Sequence, residues 1–292
     1  MNKLFSKICS AIKLLMGEKR SLHISLNQVS PLNVLEGRCA LITGGTSGIG
    51  YAIAEAYLKA GCNVIITGRN QERVDKSVSN LKVKYSGVKV WGFKLNNTKV
   101  KLFDSIFNDI LSTVAADGVF QIDILVNNAG VNYKGMPNAV EDEYDLVLDT
   151  NLKGTFFLSQ IFGKYLVSNA IHGNILNIAS ASSLRPADSA YTLSKWGLRG
   201  LTLGLAKALA PEGITVNGIA PGPTATPMMK ANKDTDMRLE RLPLGRYITP
   251  EEISSMAVFL VSDMGRSIMG DIVYMTGGAG ILTYDDVRYS FK

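Results

Sequence analysis

Short apolar stretches alternate with amphipathic stretches along most of this chain, and this alternation limits the available folds more than any other feature. The apolar stretches, rich in β-branched residues, cover residues 39–43, 63–67, 89–95, 123–127, 174–179, 215–220 and 271–276. Few of them alternate strictly between apolar and polar residues, which is typical of strands buried on both faces of a parallel sheet. Helical spacing covers residues 49–60, 71–84, 99–115 (with Thr98 as the expected N-cap), 141–168, 189–210 and 250–262. The pattern predicts an α/β fold, a doubly wound sheet of seven parallel strands with helices on both faces.

The composition is that of a globular chain with one main domain. It has 292 residues, of which 46% are hydrophobic and 19% charged, and its 28 glycines have no collagen-like period. No apolar run reaches the length of about 18 residues that a membrane-spanning helix needs. We expect an N-terminal extension over residues 1–36, one α/β domain over 37–284 and a C-terminal tail over 285–292. Collagen-like, disulfide-rich and integral membrane proteins are excluded.

The net charge of +6 is spread unevenly. Residues 1–36 contain five basic and two acidic residues and so carry half of it, and no dense basic stripe follows. A nucleic-acid partner is therefore not expected. The three cysteines, Cys9, Cys39 and Cys62, lack the spacing of metal ligands. They indicate a reducing compartment, so we expect a cytoplasmic protein without a metal site.

Residues 1–16 have a basic amphipathic pattern. On a helical wheel one face carries lysines and the opposite face is apolar, formed by Leu4, Ile8, Ile12 and Leu15. We favour a helix that packs against its own domain or against a sister subunit. Because the same pattern serves a helix lying on an anionic lipid surface, membrane-surface contact by residues 1–16 is the alternative.

A glycine-rich turn follows the first expected strand. Residues 43–50 read TGGTSGIG, with glycines at 44, 48 and 50, and lead into the first expected helix. A turn without side chains lets the backbone approach a pyrophosphate, and a helix N-terminus offers free N–H groups and a positive dipole end. In this position the turn predicts a dinucleotide site, and an ordinary strand-to-helix turn is the alternative.

The end of the second expected strand indicates which dinucleotide binds. An acidic residue there accepts the ribose hydroxyls of NAD(H), whereas this chain has Gly68 followed by Arg69. The Arg69 guanidinium favours a 2′-phosphate, so we expect NADP(H) rather than NAD(H); a solvated surface arginine is the alternative. After the third expected strand, Asn96 stands where its amide can contact the adenine.

Tyr191 and Lys195 open a helical stretch and, four residues apart, lie on one helical face. A free phenol has a pKa near 10, and a neighbouring ammonium stabilises the phenolate and lowers that pKa. The pair therefore suits acid–base chemistry, although the spacing alone also fits an ordinary surface pair. Its position after a strand that ends at Ser180, and downstream of the glycine turn, favours a catalytic pair.

Several motifs occur in order and at separations that are jointly specific. They are TGGTSGIG at 43–50, NNAG at 127–130, Asn151, Ser180, Tyr191 with Lys195, and PGPTAT at 221–226. On these motifs the sequence resembles the short-chain dehydrogenase/reductase family in its single-domain form, over residues 37–282. The resemblance implies a Rossmann-type fold and the interconversion of a ketone and a secondary alcohol by hydride transfer with NAD(P)(H), NADPH-driven reduction being favoured.

The resemblance also implies a role for each matching residue. Tyr191 is the general acid in reduction and the base in oxidation, and Lys195 lowers its pKa and holds the nicotinamide ribose. Ser180 hydrogen-bonds the substrate oxygen, and Asn151 holds a water that links Lys195 to solvent. The expected cofactor-binding residues are Gly44, Thr46, Ser47, Gly48, Ile49, Gly50, Arg69, Asn96, Asn128, Ala129, Gly130, Tyr191, Lys195, Pro221, Gly222, Thr224 and Thr226.

Two positions depart from the family pattern. Family members usually have an acidic residue where Asn96 stands, so the adenine contact differs there. Ten residues separate Ser180 from Tyr191, a shorter loop than is common in the family. The catalytic hydroxyl is then Ser180 or Ser182, and we favour Ser180 because it stands at the end of the strand.

The substrate side is expected to consist of the loops after the fourth and fifth strands and a segment near residues 228–238 that closes as a lid. The candidate substrate residues are Asn132, Tyr133, Ser182, Arg185 and Met228. Arg185 meets an anionic group or forms a surface ion pair, and Met228 is either an adaptable cover or part of the core. A 3-oxoacyl thioester, a sugar-derived ketone and a small cyclic ketone stay open as substrates.

Two other functions use related folds: a catalytically idle NADP(H)-binding sensor or scaffold, and a nucleotide-sugar epimerase or dehydratase. The complete set of Ser180, Tyr191 and Lys195 argues against the first. The glycine spacing and the lack of a sizeable C-terminal substrate domain argue against the second. The resemblance also implies a homotetramer or dimer, with residues 141–168 and 189–210 packing between subunits.

Overall fold

The computed structural model describes residues 33–229 and 236–282. The expected helix over residues 1–16 and the tail over 285–292 lie outside the described residues, as do residues 230–235 of the expected lid. Within the described ranges, none of the helices combines the length and the apolar character needed to cross a membrane.

All seven expected strands form and join in one parallel sheet. Their bounds are β1 Cys39–Ile42, β2 Asn63–Gly68, β3 Val90–Lys94, β4 Ile124–Asn127, β5 Asn174–Ile178, β6 Thr215–Pro221 and β7 Ile272–Met275. The order across the sheet is β3-β2-β1-β4-β5-β6-β7. The predicted Rossmann-type doubly wound sheet is confirmed.

The strand order positions the site. Because β1 lies between β2 and β4, the chain builds outward in one direction and then returns to build in the other. In sheets of this kind, ligands bind in the crevice outside the carboxyl ends of the strands at that reversal. The residues that follow β1 and β4 therefore face each other across the crevice.

The helices lie close to the expected ranges. Their bounds are α1 Gly48–Lys59, α2 Gln71–Lys84, α3 Phe103–Ala116, α4 Glu141–Leu148, α5 Gly154–Ser168, α6 Ala190–Leu209 and α7 Pro250–Val261. The stretch 141–168 is not one regular helix, because a π-turn, Asp149–Lys153, joins α4 to α5. In it the Gly154 N–H donates to the Asp149 carbonyl, one residue further back than in an α-helix.

The expected N-cap at Thr98 is wrong. A 3₁₀ turn, Val100–Leu102, precedes α3, and Leu102 occupies the N-cap position without a side-chain bond. The amide and the hydroxyl of Thr98 each donate to Oδ1 of Asn96, both at 3.1 Å. Thr98 therefore belongs to the turn that follows β3.

Apolar residues fill the space on both faces of the sheet. Leu41 packs in the cluster that includes residues of α3 and α5, and its neighbour Ile42 packs in the cluster that includes residues of α1 and α7. Cys39 and Cys62 are buried, one in each cluster. Burial raises the pKa of both thiols, so they stay neutral and act as small apolar side chains.

Candidate active site

A cleft of about 350 Å³ runs along the carboxyl edge of the sheet, and residues at the ends of β1 to β6 line it. It brings together most residues that the sequence places at the cofactor or the reacting carbonyl. Those that line it are Gly44, Thr46, Ser47, Gly48, Ile49, Arg69, Asn128, Ala129, Gly130, Ser180, Tyr191, Lys195, Pro221, Gly222, Thr224, Thr226 and Met228.

The glycine turn forms the part of the cleft next to α1. Gly44 and Gly48 have φ angles of +64° and +56°, a backbone region that favours glycine. No side chain caps α1 at Ser47, and Ser47, Gly48 and Ile49 all line the cleft. An uncapped helix start that opens onto a cavity suits an anionic group.

Asn128 joins the glycine turn to the loop after β4. Its Nδ2 donates to the carbonyls of Thr43, at 2.9 Å, and Gly44, at 3.1 Å. The Thr43 hydroxyl in turn accepts from the N–H groups of Asn128, at 3.0 Å, and Ala129, at 3.1 Å. A Cβ on Gly50 would overlap the Asn128 amide. Gly50, which does not line the cleft, therefore lets α1 pack closely against this network.

Arg69 and Arg73 line the cleft beyond the end of β2. Arg73 lies in the first turn of α2, where its N–H donates at 2.9 Å to the side chain of the N-cap, Asn70. None of the described residues that line the cleft is acidic. This end of the cleft therefore suits a second anionic group. Sequence reasoning missed Arg73, which lies in the first turn of α2, whereas Arg69 precedes the N-cap and so shares no helical face with it.

Asn96 does not line the cleft, so the structure does not place it at the expected adenine contact. Its Oδ1 accepts both bonds from Thr98, while Leu95 and Asn97 on either side line the cleft. Asn97 is buried, and its Nδ2 lies 3.5 Å from the carbonyl of Thr150. Asn96 begins the turn after β3, where its carbonyl accepts from the Lys99 N–H at 2.9 Å, so its side chain serves this turn rather than the cleft.

Ser180, Tyr191 and Lys195 line the same cleft. Ser180 lies two residues after the end of β5, whereas Tyr191 and Lys195 lie one turn apart at the start of α6. The Lys195 Nζ lies 5.6 Å from the centre of the Tyr191 ring and donates to the Ile178 carbonyl at 2.8 Å. The last residue of β5 thus holds the ammonium next to the phenol.

Burial sets the protonation of this group. It raises the pKa of Tyr191, against the lowering effect of a hydrogen bond with the Ser180 side chain, and it lowers the pKa of Lys195 to about 8. The expected lowering of the Tyr191 pKa by Lys195 is not found: the two groups that shift this pKa are its buried surroundings and the Ser180 side chain. The phenol therefore holds its proton at neutral pH, and the amine titrates near neutrality.

Comparison with known proteins identifies the family. A profile described as enoyl-(acyl carrier protein) reductase matches residues 44–280. The 3-oxoacyl-[acyl-carrier-protein] reductase FabG of Aquifex aeolicus is 36% identical over 249 residues, which cover 84% of this chain and 98% of that protein. The chain belongs to the short-chain dehydrogenase/reductase family. As a short-chain dehydrogenase/reductase, it is an oxidoreductase that acts on CH–OH groups.

Solved structures of such enzymes are similar to the chain. A 3-ketoacyl-(acyl-carrier-protein) reductase from Brucella melitensis complexed with NADH has a TM-score of 0.74 at 28% identity, covering 85% of this chain and 100% of that one. A short chain dehydrogenase from Burkholderia cenocepacia in complex with NADP has a TM-score of 0.72 at 30% identity, covering 84% and 98%. Relatives of this short-chain dehydrogenase/reductase thus bind either dinucleotide.

Asn151 of this short-chain dehydrogenase/reductase lies in the π-turn, fully buried and outside the cleft lining. Its Oδ1 accepts from the Val131 N–H at 2.8 Å, and its Nδ2 donates to the Val131 carbonyl at 3.0 Å and to Ser194 Oγ at 3.2 Å. The Ser194 hydroxyl donates to the Tyr191 carbonyl at 2.7 Å. Asn151 therefore links the loop after β4 to the helix that carries Tyr191.

Four of the five candidate substrate residues lie outside the cleft lining of this short-chain dehydrogenase/reductase. Ser182 lies in the 3₁₀ turn Ala181–Leu184, where its N–H donates to Ser180 Oγ at 3.1 Å, so of the two candidate hydroxyls Ser180 is the one in the cleft. Asn132, Tyr133 and Arg185 are exposed.

Folding brings further residues into the cleft that sequence reasoning did not place there. Most of them lie next to a predicted residue, and carry no motif of their own. They are Gly68, Asn70, Arg73, Leu95, Asn97, Thr150, Ile178, Ala179 and Pro227. Over residues 33–229 and 236–282, no group of three or more His, Cys, Asp or Glu side chains is placed to hold a metal ion.

Proposed function

We propose that the protein is an NADPH-dependent reductase that converts a ketone into a secondary alcohol. One observation carries the proposal: the Ser180 hydroxyl, the Tyr191 phenol and the Lys195 ammonium line the cleft that also holds the glycine turn and the uncapped start of α1. A protein that only binds a dinucleotide has no need of these three side chains in one place.

The residues of the cleft fit a nicotinamide dinucleotide. The start of α1 would hold the pyrophosphate, and Lys195 would bind the ribose hydroxyls next to the nicotinamide. The hydroxyls of Thr224 and Thr226, both buried at the cleft, would meet the carboxamide. Bound NADPH would supply the hydride.

Tyr191 would protonate the carbonyl oxygen of the substrate. Its raised pKa keeps the phenol protonated at neutral pH, and its hydroxyl is hydrogen-bonded with that of Ser180. A substrate oxygen that meets both hydroxyls would accept a hydrogen bond from Ser180 and the proton from Tyr191 as negative charge develops on it. A protonated phenol favours reduction as the working direction.

Lys195 would return the proton to Tyr191. The amine lies one helical turn from the phenol, and its pKa of about 8 lets it exchange protons near neutral pH. We assign to Asn151 a bound water that connects Lys195 with solvent. The π-turn supports this assignment, since it shifts the backbone hydrogen bonds around Asn151 out of the α-helical register.

Catalysis is tested by NADPH consumption with a panel of ketones that begins with a 3-oxoacyl thioester, the class for which the Aquifex relative is named. We expect turnover with the wild type, and a loss of at least about 100-fold in kcat for Tyr191→Phe with unchanged NADPH affinity. Tyr85→Phe, remote from the cleft, is the matched control. Tight NADPH binding without turnover of any ketone would instead support the sensor or scaffold.

We propose NADP(H) as the cofactor because Arg69 and Arg73 line the far end of the cleft and no described lining residue is acidic. Calorimetric titration with 2′,5′-ADP and with 5′-AMP isolates the 2′-phosphate. We expect Arg69→Gln and Arg73→Gln each to weaken 2′,5′-ADP binding about tenfold and to leave 5′-AMP unchanged.

As the control, Lys76→Gln removes one positive charge from α2, the helix of Arg73, at a position outside the cleft lining. It should change the affinity for neither 2′,5′-ADP nor 5′-AMP. Equal affinity of the wild type for the two nucleotides would contradict the assignment of NADP(H).

We infer that a second copy of the chain covers an exposed apolar surface on α5 and α6. Its side chains are 38–54% exposed, and they are Phe156, Phe157, Leu193, Trp196 and Leu203. Gly200 and Gly204 lie on the exposed side of α6 with no neighbour near, so another helix can approach closely. A homodimer or a homotetramer buries such a surface.

A further inference from the structure

The loop that joins Ser180 to Tyr191 is held at two points by residues outside it. Residues 185–188, here called the strap, connect the 3₁₀ turn after Ser180 to Ser189, the N-cap of α6. All four side chains of the strap are exposed, so no core contact fixes its course. Its position depends on the hydrogen bonds at its two ends.

Trp196 holds the first end of the strap. Its indole Nε1 donates to the Arg185 carbonyl at 2.8 Å, and its ring lies 5.6 Å from the guanidinium carbon of Arg199. Trp196 follows Lys195 directly on α6. The hydrogen bond therefore ties the turn that begins at Ser180 to the helix that carries Tyr191 and Lys195.

The loop after β4 holds the second end. The Met136 N–H donates to the Asp188 carbonyl at 2.8 Å. At Gly135, a Cβ would lie 2.6 Å from the Asp188 oxygen and 2.8 Å from Ser189 Cβ, so only glycine permits this approach without a shift. The Ser189 side chain accepts from the Thr192 N–H at 3.3 Å and so caps α6 two residues before Tyr191.

We propose that Trp196 and Gly135 are positioning residues that clamp the strap and thereby hold the Ser180 hydroxyl and the Tyr191 phenol in reach of one substrate oxygen. The proposal rests on the proposed reduction. A displacement of about 1 Å between two catalytic groups can lower the rate by up to about 100-fold. Two hydrogen bonds outside the cleft can therefore control the rate through the positions of these two hydroxyls.

The pH profile separates positioning from general stability. The Ser180 hydrogen bond opposes the rise in the Tyr191 pKa, so loss of their alignment raises that pKa further. Of the charged side chains in the described cleft lining, Lys195 lies beside the phenol, while Arg69 and Arg73 lie beyond β2, three strand positions from β5. A shifted profile would thus report the Ser180–Tyr191 pair.

The test compares Trp196→Phe and Gly135→Ala with two matched controls. Trp91 lies on the edge strand β3, and Trp91→Phe removes the hydrogen bond from its indole to Asp117. Gly87→Ala adds a methyl group where no atom lies within 4 Å. For the two clamp variants we expect kcat to fall about tenfold or more, with NADPH affinity within about twofold of the wild type. In these two variants we expect the higher pKa of Tyr191 to shift the pH profile of alcohol oxidation, where tyrosinate is the base, to more alkaline pH.

Hydrogen exchange tests the clamp without turnover. Amides of residues 181–192 should exchange faster in Trp196→Phe and Gly135→Ala than in the wild type and both controls, with the sedimentation coefficient unchanged. If the clamp variants exchanged and turned over like the two controls, the proposal would be overturned. If Gly135→Ala does not fold, Trp196→Phe alone decides the test. A wild type that turns over no ketone would contradict the proposed function. The exchange result would still decide whether Trp196 and Gly135 hold the strap.

Discussion

Lys195 shows how function and stability oppose each other at a single residue. It is buried, and no carboxylate stands among the described residues lining its cleft. Its Nζ instead donates to the Ile178 carbonyl. A buried ammonium without a counterion destabilises a fold, and the lowered pKa measures that cost.

The sign of the effect on stability follows from the two pKa values. Burial lowers the pKa of Lys195 from 10.5 to about 8, so between these values the unfolded chain holds a proton that the folded chain lacks. Stability due to this group therefore rises with pH across that window. Below pH 8 both states are protonated, and the full cost, on the order of 3 kcal/mol, is present.

Lys195→Met should therefore abolish turnover and raise the free energy of unfolding of the cofactor-free protein at pH 7. The gain over wild type should shrink as the pH rises from 8 toward 10.5. Urea unfolding at pH 7, 9 and 10.5 measures it. Lys207→Met, at an exposed position of the same helix, is the control and should show no such trend. A gain that does not vary with pH would contradict the assignment.

Sequence spacing correctly predicted which site residues on helices lie together, and it did not predict which loop residues line the cleft. Tyr191 and Lys195 are one helical turn apart on α6, so their spacing alone fixes a shared face. Asn96 and Ser182 lie in turns, where sequence spacing does not fix the direction of a side chain. Asn97, one residue after Asn96, and Ser180, two residues before Ser182, line the cleft instead.

At the scale of elements, α7 depends on its first turn. Thr249 and Glu252 form a capping box: the Thr249 side chain accepts from the Glu252 N–H, and the Glu252 carboxylate accepts from the Thr249 N–H. Arg246 donates to both Glu252 oxygens, at 2.8 and 2.9 Å. The Arg246 guanidinium holds the pKa of Glu252 below its usual range.

Glu252→Gln should lower the free energy of unfolding by about 1 kcal/mol at pH 7, because it weakens the cap and removes the charge that faces Arg246. The difference from wild type is present above the usual carboxyl pKa and is lost as the pH falls through the lowered one. Chemical unfolding at pH 7 and pH 3 measures both values. Glu251→Gln, one residue earlier in the same turn, is the control; an equal loss there would contradict the account.

Element bounds were predictable because each element buries an apolar stripe or run. The strands β1 and β4 are buried along their whole length, and every residue in them except Asn127 is apolar. The π-turn within 141–168 was not predictable, because it changes which carbonyl accepts a hydrogen bond and leaves the apolar pattern intact. The start of α3 was missed for a similar reason: Thr98 has the chemistry of an N-cap, but it bonds to Asn96.

At the scale of the whole molecule, the surface on α5 and α6 predicts self-association. Phe156→Lys should shift the protein toward monomer in sedimentation velocity, because it places a charge within the apolar surface. Phe120→Lys, at a position that is 84% exposed and outside α5 and α6, should leave the distribution unchanged. A wild type that sediments as a monomer at micromolar concentration would contradict the inferred second copy.

The central claim is that Tyr191 gives a proton to a carbonyl oxygen while the dinucleotide reduces the carbon. Its most direct test is a single turnover with NADPH deuterated at the transferred position and a ketone that the wild type reduces. The account predicts deuterium on the carbinol carbon with the wild type, and labelled alcohol formed at least about 100-fold more slowly by Tyr191→Phe, although it binds the dinucleotide equally well. Labelled alcohol formed by Tyr191→Phe at the wild-type rate would contradict it.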